Sequence, residues 1–234
     1  MSHFGLGLIS SAGVPGNDAF TKILLHMDGS NGGTTFTDVN AGGSSHTWTP
    51  SSATTSTAAA KFGPSSMLGA AGYISTPAHA DFNIGTSDAC VDLWLNNNGS
   101  SASYGIAGQI DSGGTLGSTA FIMQKNGSGF ISVTMVNASV TATTTMTGTT
   151  NLNGTSTYNH IAWTKSGTTF RLFLNGVQEA TTTFASVNSG STPFHVGRTG
   201  SAGTALSGYI DEFRLSVGIA RWTSNFTPPS GPYI

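Results

Sequence analysis

Charge is scarce in this chain. Eight Lys and Arg and ten Asp and Glu are spread over 234 residues, a charged fraction of 8% where about 25% is usual. No basic cluster exists to follow a phosphate backbone, and Arg198, Arg214 and Arg221 are only a scatter. Nucleic acid is thereby excluded as a partner. No apolar run approaches the ~20 residues that a membrane helix needs, so no membrane is expected either. Cysteine is nearly absent: Cys90 stands alone, which rules out an internal disulfide framework. It sits in the alternating run 89–95, where a buried, inert thiol is expected, since a nucleophile needs a paired base and an electropositive site. Lys and Arg are missing from the first 21 residues, and Gly5 and Gly7 break the early apolar stretch. The expectation is a start without a secretory signal peptide.

Helix-period patterning is almost missing as well; Val217 to Trp222 is the one stretch where a short helical turn is expected. What the chain has instead is 32 Gly, with Ser, Thr and Asn supplying polarity, and aromatics at 9% spread along the length. Net charge is only −2, so the low charge does not mark disorder. Short strands joined by tight turns are expected. Ile23 to Asp28 reads as a first strand, ended by Gly29-Ser30-Asn31-Gly32-Gly33. Residues 40–60 read as a loop or a weak strand pair anchored by Trp48. Further strands are expected at 72–76, 89–95, 121–124 and 130–136. From His160 to Glu179 two strands flank a Ser-Gly turn and a third follows Asn175-Gly176, the preferred dipeptide of a tight hairpin. Two more lie at 194–197 and 208–215. Trp94 and Trp163 alternate with strand residues and read as core. The tail Thr227-Pro228-Pro229-Ser230-Gly231-Pro232 cannot enter a central strand. About a dozen short strands read as an all-β, two-sheet antiparallel sandwich or jelly roll. The expected division is an arm over 1–18, a domain over 19–228 and an extended tail over 229–234.

Four segments resemble the laminin-G-like, concanavalin A-like jelly-roll family. They are Leu24-Leu25-His26-Met27-Asp28-Gly29 followed by Phe36-Thr37-Asp38; Lys61-Phe62-Gly63 with Gly72 to Pro77; the hairpin from Trp163 to Gly176; and Gly208 to Leu215 with Ile219-Ala220-Arg221-Trp222. The last, running on to Phe226-Thr227-Pro228-Pro229, resembles versions found in tailed-phage structural proteins. The family's members bind sugars or proteins or serve as accessory modules, so fold alone does not fix function. The resemblance implies a virion structural or decorating protein on the capsid or tail surface, assembled as a homo-oligomer with phage capsid or tail proteins and able to hold host-surface glycans. The alternative is a carbohydrate-binding module of a bacterial surface or secreted protein.

Chemistry is sparse. Glycoside hydrolysis needs a carboxylate pair about 5–10 Å apart. Glu179 and Glu212 are the only glutamates and lie on different strands. Asp211 and Glu212 are adjacent, and neighbours on a regular strand point to opposite faces. No Gly-x-Ser-x-Gly elbow sits at a strand-to-helix turn. The six histidines His3, His26, His46, His79, His160 and His195 form neither His-x-His nor His-Glu-x-x-His, so no zinc site is expected. No enzyme is expected. The resemblance does imply a structural Ca²⁺, a hard cation with oxygen ligands. Asp28 after the first strand and Asp211 in the closing Ile-Asp-Glu motif are its candidate ligands, since first and last strands of such folds often pair. For glycans the candidates are Trp48, Tyr104 and Trp222, taken as loop aromatics.

Overall fold

A computed structural model describes residues 13–110, 116–199 and 204–234. Its strands are β1 (Thr21–Leu25), β2 (Thr49–Ser51), β3 (Thr54–Ser56), β4 (Ser66–Leu68), β5 (Tyr73–Thr76), β6 (Ala89–Asn96), β7 (Tyr104–Gln109) and β8 (Phe121–Lys125). They continue with β9 (Ile131–Val136), β10 (Thr143–Thr147), β11 (Tyr158–Ser166), β12 (Thr169–Leu174), β13 (Val177–Thr183), β14 (Phe194–Val196) and β15 (Tyr209–Val217). Two 3-10 turns, at Ala80–Phe82 and Leu116–Ser118, are the only helical elements among the described residues.

The strands form two antiparallel sheets, as the jelly-roll expectation requires. The larger has eight, in the order β13-β12-β11-β6-β15-β4-β3 with β1 also on β15; the smaller has seven, β10-β9-β8-β7-β14-β5-β2. First and last strands do pair, Leu24 opposite Arg214 and Leu25 opposite Phe213. The meander β11–β13 turns at Gly167 (φ +57°) and at Asn175-Gly176 (φ +51° and +80°), where left-handed backbone is required. Residues 40–60 do not pair with one another: β2 joins the small sheet and β3 the large one. No helical turn forms at 217–222; the chain leaves β15 through Gly218 at φ +101°.

Alternation explains the core. Val91, Leu93 and Leu95 of β6, Ile161 and Trp163 of β11, and Phe170 and Leu172 of β12 fill the space between the sheets. There they meet Phe121, Phe194 and Val196 of the small sheet. Trp163 lies edge-on to Phe121 at 5.1 Å, and Phe121 to Phe194 at 5.8 Å. Every residue of β6 is nevertheless buried, so its outward face is covered too. The cover is the closing segment, residues 218–234. Tyr233 is 3% exposed, and its hydroxyl donates to Asp92 at 2.6 Å across 141 residues of sequence. Its end pairs with the start of the described chain: Val14 N–H donates to Pro232 O (2.7 Å), and Ile234 N–H to Val14 O (3.0 Å).

Candidate functional site

Beneath the closing segment lies a polar network on the outer face of the large sheet. Arg214 Nε donates to Asp92 Oδ1 at 2.9 Å, and His160 Nε2 lies 3.4 Å from Asp92 Oδ2. All three are buried. Burial alone would raise the proton affinity of Asp92, but Arg214, His160 and Tyr233 outweigh it and hold its pKa at about 2. Cys90 lies on the same face, fully buried, and burial pushes its thiol pKa far up; it is inert, as the sequence suggests, though outside the sandwich interior. Trp94 also lies on this outer face, under Lys61 Nζ at 3.9 Å.

Trp222 and Phe226 stack face to face (4.1 Å, 9°) over His160. Two clefts lie along the closing segment. One, of about 290 Å³, has Arg214, Arg221, Trp222 and Tyr233 among its walls. The other, of about 810 Å³, is lined only by polar side chains: Arg171, Gln178 and Thr181 from the β12–β13 hairpin, and Thr223, Ser224 and Asn225 from the closing segment. Asn225 Oδ1 accepts the Gln178 N–H at 2.9 Å, joining the walls. Arg171 Nη1 is shielded from solvent and has no hydrogen-bond partner.

Of the three aromatics expected to meet a glycan, only Trp222 keeps an exposed part and lines a cleft. Trp48 is 6% exposed and packs edge-on to Phe194. Tyr104 is in strand β7 rather than a loop; it is 1% exposed and its hydroxyl donates to Asn97 Oδ1. The alternation of β7 is masked in sequence by its small residues Gly105, Ala107 and Gly108, which explains the misplacement.

The carboxylates at the β1–β15 junction come together. Asp211 and Glu212 do not alternate as a regular strand would place them. Glu212 has φ +50° in a bulge, and Ile210 and Phe213 on either side both enter the core. Both acids therefore face outward, yet both are buried, which removes them from any dissolved substrate. Glu212 Oε1 meets His26 Nδ1 at 2.7 Å and Oε2 accepts the Tyr233 N–H. That contact raises the His26 pKa against burial, with Glu212, Asp28 and Asp211 adding their charges. Asp211 Oδ2 accepts the N–H groups of Lys61 and Phe62, and Oδ1 that of Glu212. Burial, with the charges of Glu212 and Asp28 behind it, pushes its pKa up to about 8 despite those bonds. Asp28 is exposed and is raised by its own desolvation and by Glu212. Gly63 passes so close that a Cβ there would lie 2.3 Å from Asp28 Oδ1. A carboxylate offers about four lone-pair directions; Asp211 uses three, so one remains, and Asp28 adds a second carboxylate, which also bonds the Ser65 backbone. These are oxygen donors of the kind Ca²⁺ takes.

The histidines disperse, except for one pair that sequence spacing does not reveal. His3 lies outside the described residues. His195 is packed against Tyr73. His46 and His79, however, meet at 5.1 Å between ring centres, beside Asp81. They come from segments separated by four strands, β2 to β5, so no local motif could have marked them.

Residues 68–218 match the family model described as the Concanavalin A-like lectin/glucanases superfamily. No curated protein sequence matches. Among solved structures, the binding domain of Paraclostridial Mosquitocidal Protein 1 is similar over 84% of this chain and 48% of that one, at 11% identity and a TM-score of 0.61. The binding domains of botulinum neurotoxin DC, solved in complex with SialylT, and of botulinum neurotoxin serotype C1 match with the same coverage and identity, at TM-scores of 0.60 and 0.61. The chain thus spans about half the length of these structures, and the likeness is one of fold.

Proposed function

The chain belongs to the Concanavalin A-like lectin/glucanases superfamily, and we propose that it is a non-enzymatic binding domain whose ligand is a glycan, displayed on the surface of a tailed-phage particle. One observation carries the glycan reading: the polar cleft on the closing segment, whose wall includes Arg171, a side chain with one shielded guanidinium nitrogen that no protein group satisfies. A shielded donor of this kind is costly to leave unpaired, and a guanidinium pairs well with a carboxylate, so the preferred ligand is a sugar bearing an acid group. Hydroxyl and amide groups of Gln178, Thr181, Ser224 and Asn225 suit sugar hydroxyls, and Trp222 supplies an apolar surface next door. The SialylT complex of a similar fold supports the same ligand class.

The non-enzymatic reading is supported by the two glutamates. Glu212 is buried, and Glu179 is occupied by the N–H groups of Thr149 and Thr150. The virion reading rests on the phage-like closing segment from Ala220 to Pro229, and it carries homo-oligomeric assembly with capsid or tail proteins. A structural Ca²⁺ held by Asp28 and Asp211 belongs to the same proposal; it would neutralise the carboxylates that join the first and last strands.

A glycan array probed with the whole chain tests the ligand. Binding to acidic glycans that falls at least tenfold in Arg171→Ala and in Trp222→Ala is expected. A silent array, or an Arg171→Ala variant that binds as the parent does, overturns the glycan reading. Quantitative mass spectrometry of purified particles tests the location. Absence from particles with glycan binding retained would make the chain a carbohydrate-binding module of a bacterial surface or secreted protein.

A further inference from the structure

We infer that His46, His79 and Asp81 form a binding site for one divalent transition-metal ion of the zinc class, remote in role from the glycan cleft and from the carboxylates at the β1–β15 junction. The donor atoms of these three side chains lie within 4.8 Å of one another, and no other group of three or more His, Cys, Asp or Glu among the described residues meets that condition. Asp81 Oδ2 stands 3.4 Å from His46 Nε2 and 3.2 Å from His79 Nδ1. Ligands bonded at about 2.0–2.1 Å to a tetrahedral zinc are separated by about 3.3 Å. Both distances therefore match tetrahedral edges, and both are longer than the roughly 2.7–2.9 Å of a strong charge-assisted hydrogen bond.

The second, independent observation is His46 itself. Its side chain is only 4% exposed, and its Nε2 has no hydrogen-bond partner. A buried ring nitrogen left so needs a reason. The other nitrogen, Nδ1, meets Asp38 Oδ2 at 2.7 Å. That carboxylate is in turn fixed by the N–H groups of Leu24 and Asn40 on Oδ1. A carboxylate on one imidazole nitrogen sets the tautomer that leaves the other free to ligate, the usual support of a metal-bound histidine. Asp81 is oriented by the Ser44 N–H at 2.6 Å, and Gly43 leaves it room, since a Cβ there would lie 2.9 Å from Oδ2. Phe82 packs on the His46 ring at 4.7 Å and is buried, giving the site an apolar floor. The Asp81 N–H to His79 Nδ1 bond is long, 3.2 Å, and is the one contact that a metal would replace.

Charge and access agree with this assignment. Asp38 and Asp81 supply two negative charges beside two imidazoles, which balances a divalent ion. A mixed imidazole and carboxylate set suits zinc and its neighbours rather than Ca²⁺ or Mg²⁺. A cleft of about 210 Å³, with Thr47, Thr76, Pro77 and Ala78 among its walls, opens beside both rings. It leaves a fourth position for water or for a ligand atom from outside.

The test uses the whole chain, stripped with EDTA, dialysed and titrated with Zn²⁺ at pH 7.5 by calorimetry, and with Co²⁺ by visible absorption. One Zn²⁺ per chain, and the intense visible bands of tetrahedral Co²⁺, are expected. His79 is 41% exposed, so His79→Ala should fold as the parent does, which thermal unfolding without metal will verify. It should weaken Zn²⁺ binding at least 100-fold and abolish the Co²⁺ bands. Asp38→Asn, which touches only the Nδ1 side of His46, should weaken binding about 10–100-fold. Zn²⁺ binding that is undiminished in His79→Ala, or octahedral Co²⁺ spectra in the parent, would overturn the assignment.

Discussion

Replacing Asp92 by Asn removes a charge and little volume from the network beneath the closing segment. Asp92 accepts from Arg214 Nε and from the Tyr233 hydroxyl, and all three groups are buried. The amide oxygen can still accept from Arg214 Nε, as the Gly16 carbonyl does from Nη1, but the buried guanidinium then keeps its charge with no counter-charge beside it. Breaking a buried pair in this way costs about 3–5 kcal/mol, a large part of the ~5–15 kcal/mol that holds a domain together. For a chain of this size the melting temperature should fall by roughly 6–20 °C. Urea unfolding at pH 7 measures the loss directly. Acid supplies a second reading. The folded pKa of Asp92 is about 2 against an ordinary 3.8, so its contribution is present above about pH 4 and is lost as pH falls towards 2. The difference is worth about 2.5 kcal/mol, and that part of the acid slope should vanish in Asp92→Asn. If charge pairing rather than shape is at stake, the triple variant Asp92→Leu, Arg214→Met, Tyr233→Phe should regain most of the stability, because apolar groups of similar volume replace buried ion pairs at little cost. A single variant within about 1 kcal/mol of the parent would refute the reasoning.

Two further outcomes are expected. Gly176→Ala should destabilise the chain by more than the roughly 1–3 kcal/mol that a positive φ costs and weaken glycan binding, because Gly176 has φ +80° and a Cβ there would also strike the Phe226 carbonyl. Gly154→Ala, at φ +75° with open space around it, gives the conformational cost alone, and equal losses in the two variants would show that the closing segment is not held by that contact. For the Ca²⁺ of the proposed function, chelation should lower the melting temperature and added Ca²⁺ should restore it, in His79→Ala as in the parent. An unchanged melting temperature on chelation would dismiss Asp28 and Asp211 as ligands.

The sandwich was legible because its signals are local. Alternation in β11, β12 and β15, and the turns at Gly167 and Asn175-Gly176, need no knowledge of the rest of the chain. What stayed hidden depends on distant segments. Trp94 reads as core by alternation, yet it lies outside the sandwich, where His160, Lys61 and Phe62 pack on it. The bulge at Glu212 turns two neighbouring acids to one side, and nothing in Ile-Asp-Glu announces it. The end of the chain reads as a bare extended tail until Tyr233 is seen to reach Asp92. The convergence of His46 and His79 is set by a 3-10 turn and a loop from separate parts of the sequence.

The scarcity of charge acquires a different meaning once the charges are placed. Acids and bases usually stay on the surface, but here Asp92, Lys125, Lys165, Asp211, Glu212 and Arg214 are all buried. Each is held: Lys125 Nζ by Asn153, Lys165 Nζ by the carbonyls of Thr86 and Gly167, and the others by the contacts described above. Hydroxyls supply much of the polar surface, as where Thr134 and Thr145 bond across β9 and β10 at 2.8 Å. One face of the large sheet fills the sandwich, and the closing segment covers the central strands of the other. In a chain that places six of its eighteen charged side chains in buried, paired positions, a charged or ligating group left unsatisfied beside a cleft is informative. Arg171 at the β12–β13 border and His46 beside Asp81 are two such groups.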